Sequence, residues 1–244
     1  MKIIHIALIV IYLLLSSCTK TADDLYQLSD ENLNNKNVDQ AILDLNTLLE
    51  KYPKDSLASK AQYKIASLYL DWKNDPVLGY KALNDIVSKY PNSIQANRAK
   101  QEIEEFPDFI LNKAESLRKK KLLKEAVSHL MFITKNYSNE NYAPKGQYML
   151  GDLYMNDFRD FSTAIQEYRK VIENYSGSNQ EPHALFMIGY IYANVLNDEK
   201  SAKIEYSEFL NRFPKHELTP SVKFELEYLG KSIEEIPALK HITS

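Results

Sequence analysis

Five histidines, one cysteine and 33 acidic residues are the groups from which this 244-residue chain could build chemistry. His5, His129, His183, His216 and His241 lie far apart, and none forms the HxxxH or HExxH pair that sets two imidazoles on one helix face. His183, near a predicted helix start, reads as a surface residue. The acidic pairs Asp23-Asp24, Glu104-Glu105 and Glu234-Glu235 are adjacent in sequence. Neighbours on a helix point about 100° apart, so such pairs do not converge on one substrate as hydrolytic carboxylates must. Asp23-Asp24 instead suits a helix start, where acids complement the dipole. No Gly-x-Ser-x-Gly or phosphate loop is present, and six glycines are too few for a hairpin-dense β fold or a dinucleotide-binding site. A net charge of −3 argues against nucleic-acid binding. One basic cluster, Arg118-Lys119-Lys120-Lys121 with Lys124, falls in a predicted turn between two helices. It reads either as a solvated helix end or as a contact for anionic head groups or an acidic partner. These residues predict no catalytic group, no metal, no cofactor and no enzymatic activity.

The single thiol is the exception. Met1-Lys2 opens an apolar run that reaches Leu15 and ends in Ser16-Ser17-Cys18. A basic start, a short apolar core and a small-residue stop have the form of a secretory signal, and the run is too short to span a bilayer. Leu15-Ser16-Ser17-Cys18 resembles the bacterial lipobox, in which the chain is cut before a cysteine that then carries lipid. That resemblance implies a signal peptide over residues 1–17 and lipid attachment at Cys18. Two or more acyl chains give stable anchoring. Thr19 and Lys20 follow, with no Asp beside the cysteine, which by analogy with enteric bacteria points to the periplasmic face of the outer membrane.

The elements that would carry any binding residues are repeated helices. Tyr52-Pro53, Tyr90-Pro91, Tyr137-Ser138, Tyr175-Ser176 and Phe213-Pro214 end helical segments at spacings of 38, 47, 38 and 38. Gln147–Tyr154 and Ala164–Tyr168 are matched 38 residues later by Leu185–Tyr192 and Ala202–Tyr206, and Gln62–Tyr69 begins an earlier unit. Apolar residues at i, i+3, i+4 and i+7 give each helix one buried face. The small residues Ala66, Gly79, Gly151, Ala164, Gly189 and Ala202 are expected where antiparallel helices cross closely. Prolines after the anchors are expected to stop the second helix of each unit. Asn156–Phe161 reads as a longer turn. One such unit cannot bury its faces alone, so several must stack.

This pattern is similar to the tetratricopeptide repeat, with a period of 38 rather than about 34. Its Tyr-Pro ends and Ala-rich starts resemble those of bacterial envelope lipoproteins, namely the BamD-like outer-membrane barrel-assembly family and the Tol-Pal-associated periplasmic repeat proteins. The expected fold is an all-α, tetratricopeptide-like superhelix of about five helical hairpins plus capping helices. The extra length in the 47-residue spacing holds Ser93–Phe106, which ends in Ile103-Glu104-Glu105-Phe106-Pro107; Ile233–Pro237 nearly copies that motif, and both are read as closing helices. Residues 18–106 would then hold two hairpins and a closing helix, and residues 107–244 three hairpins and a cap. A continuous superhelix bent near Pro107 is preferred to two separate arrays, because no Gly/Ser/Pro linker divides them.

The resemblance implies a lipid-anchored periplasmic scaffold that binds an envelope protein or peptide, with a role in outer-membrane protein assembly. The alternatives are coordination of cell-wall or division machinery and, from a different class, a glycan-binding lipoprotein. Tyr63, Tyr148, Phe186 and Tyr190 are the candidate partner-binding residues, set either in a groove or between neighbouring units. Tyr69, Tyr154 and Tyr192, on the same turn as the small residues, are expected to fill space between units.

Overall fold

The computed structural model describes residues 20–138, 141–231 and 235. Cys18, the signal segment 1–17 and nearly all of the Ile233–Pro237 motif lie outside them. Twelve α-helices are present among the described residues: α1 (Ala22–Asn34), α2 (Val38–Lys51), α3 (Ala58–Ser67), α4 (Pro76–Lys89), α5 (Ile94–Glu104), α6 (Phe106–Lys119), α7 (Leu123–Asn136), α8 (Tyr142–Leu153), α9 (Phe161–Asn174), α10 (Glu181–Asn194), α11 (Glu199–Arg212) and α12 (Thr219–Glu227). The chain divides into two compact units, residues 1–105 and 106–244. In the first, the hairpins α1/α2 and α3/α4 are followed by α5. In the second, α6/α7, α8/α9 and α10/α11 are followed by α12. The architecture is all-α, built from tetratricopeptide-like hairpins.

The five aromatic anchors end their helices whether or not proline follows. Tyr52, Tyr90, Tyr137, Tyr175 and Phe213 each leave the helical region, yet each N–H still donates to the carbonyl four residues back, as from Tyr137 to Ile133 at 3.0 Å and from Phe213 to Phe209 at 2.8 Å. Tyr137 and Tyr175 do this before serine. Proline reinforces the stop but is not its only cause.

The turn inside each hairpin uses a second device. Lys36, Asn74, Lys121, Arg159 and Asn197 take left-handed conformations with φ between 49° and 61°. In three hairpins an aspartate follows and caps the second helix: Asp75, Asp160 and Asp198 accept N–H bonds from Leu78, Thr163 and Ser201 at 2.9, 3.0 and 3.0 Å. The N–H groups of those aspartates donate to the carbonyls of Tyr69, Tyr154 and Tyr192 at 2.8, 2.9 and 2.8 Å. Asn156–Phe161 is therefore not simply a long turn. Helix α8 widens into one π-helical turn, Tyr154–Phe158, before the chain reverses, and α3 does the same over Leu68–Trp72. Phe106 also departs from the sequence reading. It opens α6 instead of closing α5, is 1% exposed, and meets the Phe132 ring edge-on at 5.5 Å.

The small residues lie at the crossings. Gly151 faces the ring of Tyr168 and Gly189 that of Tyr206, while Gly79 abuts Leu70. Tyr168 and Tyr206 are fully buried at the centres of adjacent apolar clusters. Tyr192 packs against both clusters from a half-buried position, and Tyr154 against the first. Their placement thus ties neighbouring hairpins together.

Candidate functional site

The four candidate binding aromatics are half-buried. Tyr63 on α3 donates its hydroxyl to Glu102 on α5. The Arg98 guanidinium sits 5.0 Å from the Tyr63 ring centre and bonds Glu102 at 3.2 Å. Tyr148 on α8 lies 5.3 Å from the Tyr168 ring and 6.3 Å from that of His183, which is on α10. Phe186 on α10 lies 6.2 Å from Tyr206 and 6.3 Å from Tyr190. The structure thus gives these rings packing partners within and between hairpins while leaving part of each open.

Beneath Tyr148 is a polar centre that sequence reading missed. Tyr168 donates its hydroxyl to Asp152 at 2.6 Å. Burial raises the Asp152 carboxyl above its ordinary range, offset in part by the Tyr168 hydroxyl and the nearby Arg118 charge. Burial likewise raises the Tyr148 and Tyr168 phenols, so both remain neutral.

The basic cluster is partly neutralised. Arg118 and Lys121 reach Asp157 in the π turn after α8, at 2.5 and 2.9 Å. Burial pushes the Asp157 carboxyl up, but the hydrogen bonds from Lys121 and Arg118 hold it below the usual carboxylate range. Lys119, Lys120 and Lys124 are exposed. The cluster is therefore a mixed-charge pocket edge as well as a helix end.

His183 is not an isolated surface residue. His216, in the turn between α11 and α12, meets its ring edge-on at 5.3 Å, and Glu217 Oε1 lies 3.7 Å from His183 Nε2. No short motif announces this grouping, because its members are 33 and 34 residues apart. The same separation joins Arg118 to Asp157, Tyr63 to Glu102, Arg169 to Glu205 and Lys64 to Asp30, at 39, 39, 36 and 34 residues. Searching one repeat away from each polar residue is the signal that would have found them. In the first unit a groove of about 450 Å³ lies among α2, α3 and α4, lined by residues including Gln62, Ile65, Tyr69 and Tyr90. No described helix is long and apolar enough to cross a membrane.

Residues 60–93, 146–178 and 183–216 match the tetratricopeptide repeat model, in register with α3/α4, α8/α9 and α10/α11. These three hairpins carry the tetratricopeptide repeat pattern. Such repeats are, as a class, scaffolds for protein–protein interaction. No curated protein matches the chain. Among solved structures, the chain is similar to a tetratricopeptide repeat protein from Parabacteroides merdae, at 12% identity over 85% of this chain and 72% of that one, with a TM-score of 0.37. It is similar to YrrB, a tetratricopeptide repeat protein described as having an unusual peptide-binding site, at 15% identity over 87% and 96% of the two chains, TM-score 0.38. It is also similar to the tetratricopeptide repeat domain of P58(IPK), at 17% identity over 87% and 56%, TM-score 0.40.

Proposed function

We propose that the protein is a non-enzymatic scaffold that holds another envelope protein or peptide on its tetratricopeptide repeats. Lipidated Cys18 anchors it at the periplasmic face of a bacterial outer membrane, where it takes part in outer-membrane protein assembly. The observation that carries the binding role is the recurrence of one part-open aromatic position in the first helix of the matched hairpins. Tyr63, Tyr148 and Phe186 occupy it, with Tyr190 one turn beyond Phe186. Rings already held by packing and hydrogen bonds offer large contact area at low entropic cost, and repetition suits a partner peptide. The anchor rests on the sequence around Cys18 alone.

The binding role is tested by placing a photo-crosslinking phenylalanine analogue at Tyr63, Tyr148, Phe186 or Tyr190 in cells. The ring is kept, so the fold is kept. One envelope protein captured from several of these positions is the expected outcome. Capture only from control sites on the exposed faces of α5 and α11 would overturn the assignment. Fatty-acid label should enter the wild type and be lost in Cys18→Ala. Depletion should lower the levels of several outer-membrane barrel proteins. Filamentation or septal defects with normal barrel levels would point instead to division machinery, and saturable sugar binding to a glycan receptor.

A further inference from the structure

We propose that His183, His216 and Glu217 form a binding site for a zinc-class divalent transition-metal ion, which clips the start of α10 to the turn between α11 and α12. One ligand atom from each of the three residues lies within 4.8 Å of the other two. Two imidazoles and a carboxylate are a donor set suited to zinc and its neighbours, with a fourth position left for water.

The hydrogen-bond pattern prepares His183 for this role. Its Nδ1 lies 3.0 Å from the Asn179 carbonyl oxygen, which only accepts, so Nδ1 carries a proton and in the neutral ring Nε2 is the nitrogen left to bind an ion. A ligating imidazole that donates its other N–H to a backbone carbonyl is the usual second layer of support in metal centres. Nε2 lies 3.7 Å from Glu217 Oε1. Zinc bound at ~2.0–2.1 Å in a tetrahedron separates its ligand atoms by roughly 3.4 Å, so this edge is nearly set.

His216 is held from behind. Its ring lies 5.9 Å from that of Phe209 and 6.4 Å from that of Phe213, giving one side of the centre an apolar wall. The Leu218 N–H donates to His216 Nδ1 at a long 3.2 Å, and ligation through either ring nitrogen gives up this one contact. The remaining closure falls to flexible groups, since the Glu217 side chain is 79% exposed and that of His183 is 39% exposed. The turn itself is fixed, with His216 N–H donating to the Phe213 carbonyl at 3.2 Å and Thr219 N–H to the His216 carbonyl at 3.0 Å. The competing reading is a plain His183–Glu217 ion pair, which would take up no metal.

The test uses the purified chain, stripped of metal with a chelator and titrated with zinc chloride against a chromophoric zinc indicator. The expected result is uptake of one equivalent and a rise in melting temperature, because the ion binds the folded chain alone. His183→Gln, Glu217→Gln and His216→Ala should each weaken uptake, the histidine changes by about tenfold or more, and should remove the rise. His183→Gln is the decisive variant, because the half-exposed side chain can be replaced without opening the Phe209–Phe213 core; circular dichroism checks that the fold is kept. No stoichiometric uptake by the wild type, or full uptake by both His183→Gln and Glu217→Gln, would overturn the site.

Discussion

Gly189 lies against the face of Tyr206 so closely that a methyl group in place of its hydrogen would sit 2.5 Å from Tyr206 Cε1. The ring is fully buried and has no room to retreat. Gly189→Ala should therefore lose stability by ~1–3 kcal/mol from overpacking, against a helix-propensity gain of ~1 kcal/mol, and Gly189→Leu should lose more. Urea denaturation measures both. Gly151→Ala should behave alike against Tyr168, whose ring is also 2.5 Å from the added carbon. An unchanged midpoint in Gly189→Leu would mean that the hairpin helices cross elsewhere.

Asp152 and Asp157, five residues apart, should respond to pH with opposite sign. Burial, the largest influence on Asp152, raises its carboxyl in the folded chain. The folded state then holds more protons than the unfolded one above the ordinary carboxylate value, so stability falls as pH rises through the folded pKa. Asp157 is lowered by Lys121 and Arg118 against the opposing effect of burial. Its contribution is present above the ordinary carboxylate value and is lost as pH falls through the folded pKa. Relative to wild type, Asp152→Asn should gain stability as pH rises above the ordinary carboxylate value of about 4, while Asp157→Asn should lose it as pH rises toward that value from below. Denaturation curves across that range compare the slopes; parallel slopes would contradict both assignments.

Tyr63, Glu102 and Arg98 form a small polar network that fastens α5 to α3. Tyr63→Phe keeps the ring and removes the donor. The expected cost is ~1 kcal/mol, in the range of a single partly exposed hydrogen bond. The effect should be local: hydrogen exchange should quicken over residues 94–104 and stay unchanged in the second unit.

Lys36 is exposed and holds a left-handed conformation, φ 61°, in the turn between α1 and α2. A side chain costs ~1–2 kcal/mol in that region, which glycine avoids, while glycine adds ~0.5–1 kcal/mol of unfolded-state entropy. Lys36→Gly should therefore leave the protein equally stable or raise its melting temperature by a few degrees. A clear fall would show that the lysine side chain contributes a contact of its own.

The repeat was legible because it is written in local chemistry. Apolar spacing set the helix faces, the anchors at Tyr52, Tyr90, Tyr137, Tyr175 and Phe213 set the helix ends, and Gly151 and Gly189 marked the crossings. The π turns at Leu68–Trp72 and Tyr154–Phe158 were not legible, since widening one helical turn changes hydrogen bonding without changing the apolar period. Phe106 reads along the chain as the end of α5 yet opens α6, because Pro107 suits the first turn of a new helix as well as the stop of an old one.

By itself the sequence determined an all-α hairpin repeat, the face each helix buries, the small residues at the crossings and the position of the single cysteine. Only the tertiary structure decided which polar side chains meet. His183 with His216 and Glu217, Arg118 with Asp157, and Tyr63 with Glu102 are all separated by about one repeat. Helix formation depends on neighbours within a few residues, so it can be read along the chain. Side-chain partnership across stacked hairpins depends on their rise and rotation, which no local pattern encodes.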